Sequence, residues 1–372
     1  MRDLIVFGED FGGLPSSTQH LVRYLAKTHK VLWVNSIGLR QPKLCAKDVK
    51  RALNKILGRN NGHSQNMTNA SDTPNITVIN LRTLPAPQSK LGRFTAKHLM
   101  LSQLKPMIEK LQITDPILWT SLPTAADLCG HLGESSVVYY CGDDFQALAG
   151  VDHKTVQMHE DELIDKADLI FSASQKLMTK FPACKTQLLP HGVDLELFST
   201  PAPRAFDLPS GHRPIAGFYG SLSQWLDYDL IDTVAKSLPD WDFVFIGPNE
   251  LPTLQLPNYS NVYYLGPKAH SELPSYSQHW DVSLLPFVDN EQIRACSPLK
   301  LMEYLATQTP IISTPFPALK PYGNYVSTVV DAQQMIEALK QARDLKTVPN
   351  GVVDQESWQQ RGKFVNWMLE LL

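Results

Sequence analysis

The sequence predicts an α/β protein made of two successive parallel-sheet halves. Three observations predict it. Residues 4–34 run as apolar stretch, glycine-containing loop, amphipathic helix and second apolar stretch. The same order of signals restarts near Pro214. Between the two lies a stretch punctuated by Pro201, Pro203, Pro209 and Pro214, which marks a linker. A strand–helix–strand start forms a right-handed parallel unit. Two such starts give two Rossmann-like domains, expected at 1–198 and 199–350, followed by a C-terminal helix at 351–372. Ligand is expected in a cleft between them, facing the carboxyl ends of the strands.

In order along the chain, Leu4 to Phe7 is the first buried strand. Gly8 to Ser17 is a loop, with Ser16 or Ser17 as a natural N-cap for a helix over Thr18 to Thr28. Val31 to Val34 is the second strand. Lys43 to Arg59 is basic and amphipathic, with six cations among Leu44, Val49, Leu53, Ile56 and Leu57. It reads either as a solvated helix with one core face or as a helix lying on anionic lipid. Residues 59–75, rich in Asn, Ser and Thr, read as a mobile insertion. Further strands are expected at Ile117–Thr120, Val137–Cys141, Leu169–Ala173 and Gln187–Leu189, with a helix over Thr155–Lys166 on which Glu160 and Glu162 are surface charges. The second half reads as strands at Ile215–Tyr219, Phe243–Ile246, Val262–Leu265, Val282–Pro286 and Pro310–Ser313. Helices are expected over Leu226–Ser237, from Ser271, and over Pro298–Thr307. Trp358, Phe364, Trp367 and Met368 give the C-terminal helix an apolar pattern.

Composition narrows the function classes. With 372 residues and 43% hydrophobic content the chain fills two real cores and is not globally disordered. Its net charge of −3 conceals an asymmetry. Residues 1–110 carry 17 Lys and Arg against 6 Asp and Glu, +11; the remainder carries 17 against 31, −14. A basic front suggests an anionic partner met on one face. No basic motif is interleaved with aromatics, so nucleic acid is not the expected partner. No stretch approaches the ~20 apolar residues of a spanning helix. The four-residue apolar run at the start is too short for a signal peptide. The five cysteines are scattered without a C-x-x-C pair, which points to thiols in a reducing compartment and away from structural zinc. The expectation is a cytoplasmic protein, placed if anywhere at the inner face of the membrane.

Several segments resemble the GT-B glycosyltransferases, in particular the large group 1 (family 4-like) set. Leu189-Pro190-His191-Gly192-Val193-Asp194 through Phe198 looks like that family's segment before the hinge. Gly217-Phe218-Tyr219-Gly220-Ser221-Leu222 looks like the first strand and glycine turn of its nucleotide-binding domain. Phe243 to Pro248, Tyr264 to Pro267, and Ser297-Pro298-Leu299-Lys300-Leu301-Met302-Glu303-Tyr304 with Thr309 to Thr314 follow in the family's order. The resemblance implies a glycosyltransferase. It would move a sugar from a UDP- or GDP-linked donor to a hydroxyl of a saccharide or lipid-linked glycan, in cell-surface polysaccharide synthesis, with no further cofactor. It also implies that the C-terminal helix packs back on the first domain. The alternatives are a nucleotide-sugar epimerase of the same fold and a catalytically inactive sugar-nucleotide or glycan-binding protein.

The candidate residues follow. Ser297-Pro298-Leu299-Lys300 opens a helix whose free N–H groups and dipole suit a pyrophosphate, and Lys300 adds a cation. Glu303, one turn on, suits ribose hydroxyls, the role the resemblance also gives it; the alternative is a surface Lys300–Glu303 pair. Gly220 and Ser221 offer backbone N–H groups to phosphate. Gly12 and Gly13 allow close backbone approach to the sugar or its phosphate, the alternative being an ordinary turn. Asp143 and Asp144, after a buried strand, are candidate general bases. His20 is a weaker candidate for the acceptor. No metal site is expected. The family's first acidic position, eight residues before Glu303, is Ala295 here, which leaves Asn290, Glu291 or backbone groups to hold the sugar. The cations that relatives carry after the glycine turn are replaced by Ser221, Gln224 and Trp225. Lys90, Arg93 and Lys97 join residues 43–59 as candidate contacts to anionic lipid.

Overall fold

The computed structural model describes residues 2–13, 16–36, 68–70, 73–84, 89–145, 152–297, 299–342 and 348–372. The basic stretch 43–59 and Pro298 lie outside them. The chain forms two compact units, Met1–Pro190 with Arg361–Leu372, and His191–Gln360. The division thus falls after Pro190 rather than after residue 198. The reason is local: the Val193 N–H donates to Glu356 O (3.0 Å), the Trp358 N–H donates to Val193 O (3.1 Å), and Phe198 is buried in the second core.

Unit 1 contains β1 (Leu4–Phe7), α1 (Ser17–Leu25), β2 (Val31–Val34), β3 (Thr68–Ala70), β4 (Thr73–Ile79), α2 (Lys90–Lys110), β5 (Ile117–Thr120), β6 (Ser136–Cys141), α3 (His153–Lys166), β7 (Leu169–Ser172), α4 (Gln175–Met178) and β8 (Thr186–Leu188). Its sheet order is β3-β4-β2-β1-β5-β6-β7-β8, parallel except for β3 against β4. β1, β2, β5, β6 and β7 are buried at every residue, as continuous apolar runs between two helical layers must be. Side-chain caps fix where the helices start: Ser16 Oγ accepts from Gln19 N–H, and Asp152 Oδ1 from Thr155 N–H.

Three expectations need correction here. Part of the supposed insertion is sheet: β4 pairs with β2, Val31 opposite Ile76, and Ile76, Thr77 and Val78 are all buried there. Glu160 is no surface charge but 3% exposed, accepting a hydrogen bond from Tyr139 Oη at 2.6 Å. Arg93 is not available to lipid: it is held by both Asp127 and Glu162, so Glu162 is a partner rather than a solvated charge.

Unit 2 contains α5 (Leu195–Ser199), β9 (Ile215–Tyr219), α6 (Tyr228–Ser237), β10 (Asp242–Ile246), β11 (Val262–Tyr264), α7 (Pro274–Ser277), β12 (Val282–Leu285), α8 (Glu291–Ala295), α9 (Leu299–Thr307), β13 (Ile311–Ser313), β14 (Val326–Thr328) and α10 (Ala332–Lys340). Its sheet is parallel in the order β11-β10-β9-β12-β13-β14. The strand order reverses between β9 and β12, and in unit 1 between β1 and β5. Open α/β sheets bind ligands at the carboxyl ends of strands flanking such a reversal. A last helix, α11 (Trp358–Glu370), begins in unit 2 and continues with residues 361–372 of unit 1. Its buried stripe is Trp358, Gly362, Val365 and Leu369, which includes the expected Trp358, while Trp367, also expected in the apolar pattern, is 54% exposed.

Candidate functional site

In unit 2 three successive strands end in glycines that lean on one another. Gly220 follows β9 at φ 140°, and its N–H donates to Ile246 O at 2.8 Å. Gly247 follows β10 at φ 137°, where a Cβ would stand 2.1 Å from Gly220 O. Both positions therefore admit only glycine. The Gly247 N–H donates to Gly266 O, 2.9 Å away, and the Leu222 N–H to Pro248 O at the same length. The loop carrying Ser221 is thus pinned to the loop after β10. On its other side, the Val288 N–H donates to Trp225 O at 2.9 Å, joining it to the loop after β12. These loops flank the reversal of strand order.

Lys300, on the first turn of α9, lies along this glycine turn. A Cβ on Gly220 would sit 2.5 Å from Lys300 Cε, and the ammonium lies 5.7 and 5.8 Å from the ring centres of Phe218 and Phe287. The structure therefore brings Gly220, Ser221, Leu299 and Lys300 to one end of the unit 2 sheet. Ser297 precedes them, half-buried. A cation beside a glycine turn and a helix start suits a pyrophosphate.

Glu303 does not pair with Lys300. Its side chain is 8% exposed, and its Oε1 meets His270 Nε2 at 2.7 Å. Tyr219, at the end of β9, is buried next to it. Burial pushes the Tyr219 phenol well up, and the Glu303 charge adds to this. Burial opposes a charge on His270, but the Glu303 hydrogen bond and charge, with Asp194, outweigh it, so His270 holds its proton above the usual histidine range. Ala295 is 2% exposed. The other sugar-holding candidates are occupied: Asn290 Oδ1 caps α8 through Ile293 N–H (2.8 Å), and Glu291 joins Asp289 on Arg294.

In unit 1 the glycine pair makes a turn. Gly12, at φ 78°, donates its N–H to Gln19 Oε1 at 3.0 Å, and the Gly13 N–H donates to Asp10 O at 3.1 Å. Asp144 forms an ion pair with Lys180, whereas Asp143 is exposed. The residue missed from sequence is Glu9, at the carboxyl end of β1. Ser16 Oγ donates to its Oε1, and burial, with Asp10 and Asp143 nearby, raises its carboxyl above the usual range despite the Gln19 hydrogen bond. An acid two residues after a buried central strand was its only sequence signal.

Comparison with known proteins agrees with this architecture. Residues 213–344 match the family Glycosyl transferases group 1. A putative teichuronic acid biosynthesis glycosyltransferase of Bacillus subtilis (strain 168) is 27% identical over 265 residues, covering 63% of this chain and 66% of the relative. Among solved structures, Anabaena HepE in complex with UDP and glucose superposes with a TM-score of 0.68 at 13% identity, over 100% of both chains. Sucrose-phosphate synthase from Thermosynechococcus elongatus reaches 0.70 at 15%, over 100% of this chain and 99% of its own. The Escherichia coli trehalose-6-phosphate protein bound with UDP-2-fluoro glucose reaches 0.68 at 13%, with the same coverage. The chain thus has the GT-B fold of glycosyltransferases, and its match to Glycosyl transferases group 1 lies within the second unit.

Proposed function

We propose that this glycosyltransferase uses a uridine diphosphate sugar as donor and transfers the sugar to a hydroxyl of a saccharide or lipid-linked glycan during cell-surface polysaccharide synthesis. The observation that carries the donor side is Lys300 laid along the Gly220 turn, where β9 and β12 part. There the ammonium balances the leaving diphosphate, and N–H groups of the α9 start and the Ser221 loop receive its oxygens. Glu303 takes the ribose hydroxyls. The uridine is suggested by the UDP and UDP-sugar bound in the solved GT-B structures, and the polysaccharide by the Bacillus relative. On the acceptor side, Glu9 and Asp143 stand at the carboxyl ends of β1 and β6. Glu9, with its raised carboxyl, is the better-placed proton acceptor of the two. Asp144 serves through Lys180 as a structural pair.

Calorimetric titration with UDP, GDP and ADP tests the donor. UDP is expected to bind best, and Lys300→Ala to weaken it by about 10- to 100-fold, the range of a lost charge-assisted contact. Equal affinity of wild type and variant sinks the assignment. Release of UDP from a UDP-sugar only when a glycan extract is added then separates transfer from epimerisation and from binding alone.

A further inference from the structure

The Glu303 carboxylate is buried, yet the resemblance and the reading above both give it a ligand. What holds it in place is absent from its own helix. One oxygen, Oε1, is bound by His270 Nε2 at 2.7 Å. His270 lies in the loop between β11 and α7, 33 residues back in sequence. It is itself fixed from the side by the segment before the hinge. The Phe198 ring meets the imidazole edge to face, with centroids 5.3 Å apart. Asp194, which caps α5 by accepting from Leu197 N–H at 3.1 Å, places a second negative charge toward His270. On its own loop, Glu272 is turned away to Ala269 N–H (2.8 Å), and Lys268 is held by Asp207 at 2.5 Å. Glu303 of α9 and Asp194 ahead of α5 are thus two negative groups among the described residues that face His270.

We propose, resting on the donor reading above, that His270 is a positioning residue of the donor site: by engaging Oε1 it orients the Glu303 carboxylate so that Oε2 is presented to the vicinal diol of the nucleoside. A carboxylate with one oxygen anchored loses its rotational freedom before the ligand arrives, so the second oxygen accepts from a hydroxyl without a further ordering cost. The same geometry gives the segment from Asp194 to Phe198 a task. It walls and polarises the histidine, and touches no ligand itself. While His270 is protonated, the contact is charge-assisted. As pH rises through its raised value the charge is lost, and the grip on the diol weakens.

The test compares UDP with 2′,3′-dideoxyuridine diphosphate, which lacks the diol, by calorimetry on the full chain. Variants are His270→Ala, His270→Gln and Glu303→Ala, each checked for wild-type melting. His270→Ala is expected to weaken UDP by about 10-fold and to leave the dideoxy analogue unchanged, as Glu303→Ala does. His270→Gln, which still donates to Oε1, is expected to recover most of the UDP affinity. The UDP affinity ratio of wild type to His270→Gln should fall as pH rises from 6 to 9. UDP's own phosphate titration is common to both proteins and cancels in that ratio. Equal losses for UDP and the dideoxy analogue in His270→Ala overturn the proposal in favour of a merely structural histidine. So does a Glu303→Ala loss that His270→Ala does not share. A wild-type chain that binds no nucleoside diphosphate overturns the donor reading as well. Tight binding of both nucleotides that depends on Lys300 but on neither Glu303 nor His270 overturns this inference alone.

Discussion

Glu160 sits on the buried side of α3, with the Tyr139 hydroxyl donating to its Oε1 at 2.6 Å. Burial pushes its carboxyl above the usual range, and the Tyr139 hydrogen bond and Lys180 offset this only in part, with Asp144 and Asp161 pushing it up again. An acid whose folded pKa exceeds its unfolded one contributes stability below the unfolded value, near pH 4.5, and that contribution is lost as pH rises through the folded one. Glu160→Gln keeps an acceptor for Tyr139 and carries no charge. Its urea midpoint should therefore improve relative to wild type between pH 5 and pH 8; a constant gap across that range contradicts the linkage. Such a role was not legible in the sequence, because Glu160 looks like any helical acid until Tyr139 is brought beneath it. Lys300 and Gly220 were legible. Each belongs to a local pattern, a glycine turn after a buried strand or a cation at a helix start. The partner of Glu303 was not, since nothing local links it to a loop histidine on a different element.

The strands of both sheets were largely readable because fully buried parallel strands are uninterrupted apolar runs. β4 escaped because its buried Ile76 and Val78 are embedded in Asn and Thr. α2 escaped for a different reason. Its buried stripe is only Ala96, Met100 and Leu104, while Leu91, Phe94 and Leu99 face solvent at 76%, 59% and 43% exposure, so no single apolar face stands out. Along the same helix stand Lys90, Lys97, Lys105 and Lys110, with Glu109 as its one acid. Lys97 also meets His131 at 2.7 Å. Exposed apolar side chains on a helix rich in lysine suit an anionic lipid surface at ~1 kcal/mol per cation. On the proposed lipid-linked acceptor, wild type should co-sediment with vesicles containing phosphatidylglycerol and not with purely zwitterionic ones. Leu91→Glu combined with Phe94→Glu should abolish this without lowering the melting temperature. Equal sedimentation of both proteins argues against α2 as the contact.

At the scale of the molecule, length and the repeated strand–helix pattern announced two units, but not that the first is discontinuous. The C-terminal helix was expected to return to the first domain, and residues 361–372 count with unit 1. Asn366 Oδ1 lies 2.9 Å from His29 Nε2, the Phe364 ring stands 6.3 Å from that of Phe171, and a Cβ on Gly362 would strike Tyr24. A stop after Gln360 exposes the surface beneath Val365 and Leu369 and is expected to cost unit 1 about 3 kcal/mol or more. Unit 2 should keep its UDP titration. A truncated chain whose two units melt as in wild type would deny the last helix this role. The arrangement also bears on how the chain is born. The sheet begun by Leu4–Phe7 waits for its covering by residues 361–372 until the whole of 191–360 has been synthesised. At ordinary translation speeds that is a delay of roughly 10–30 s. The unit begun second is complete in sequence first, while the surface that Val365 and Leu369 cover on the first stays open.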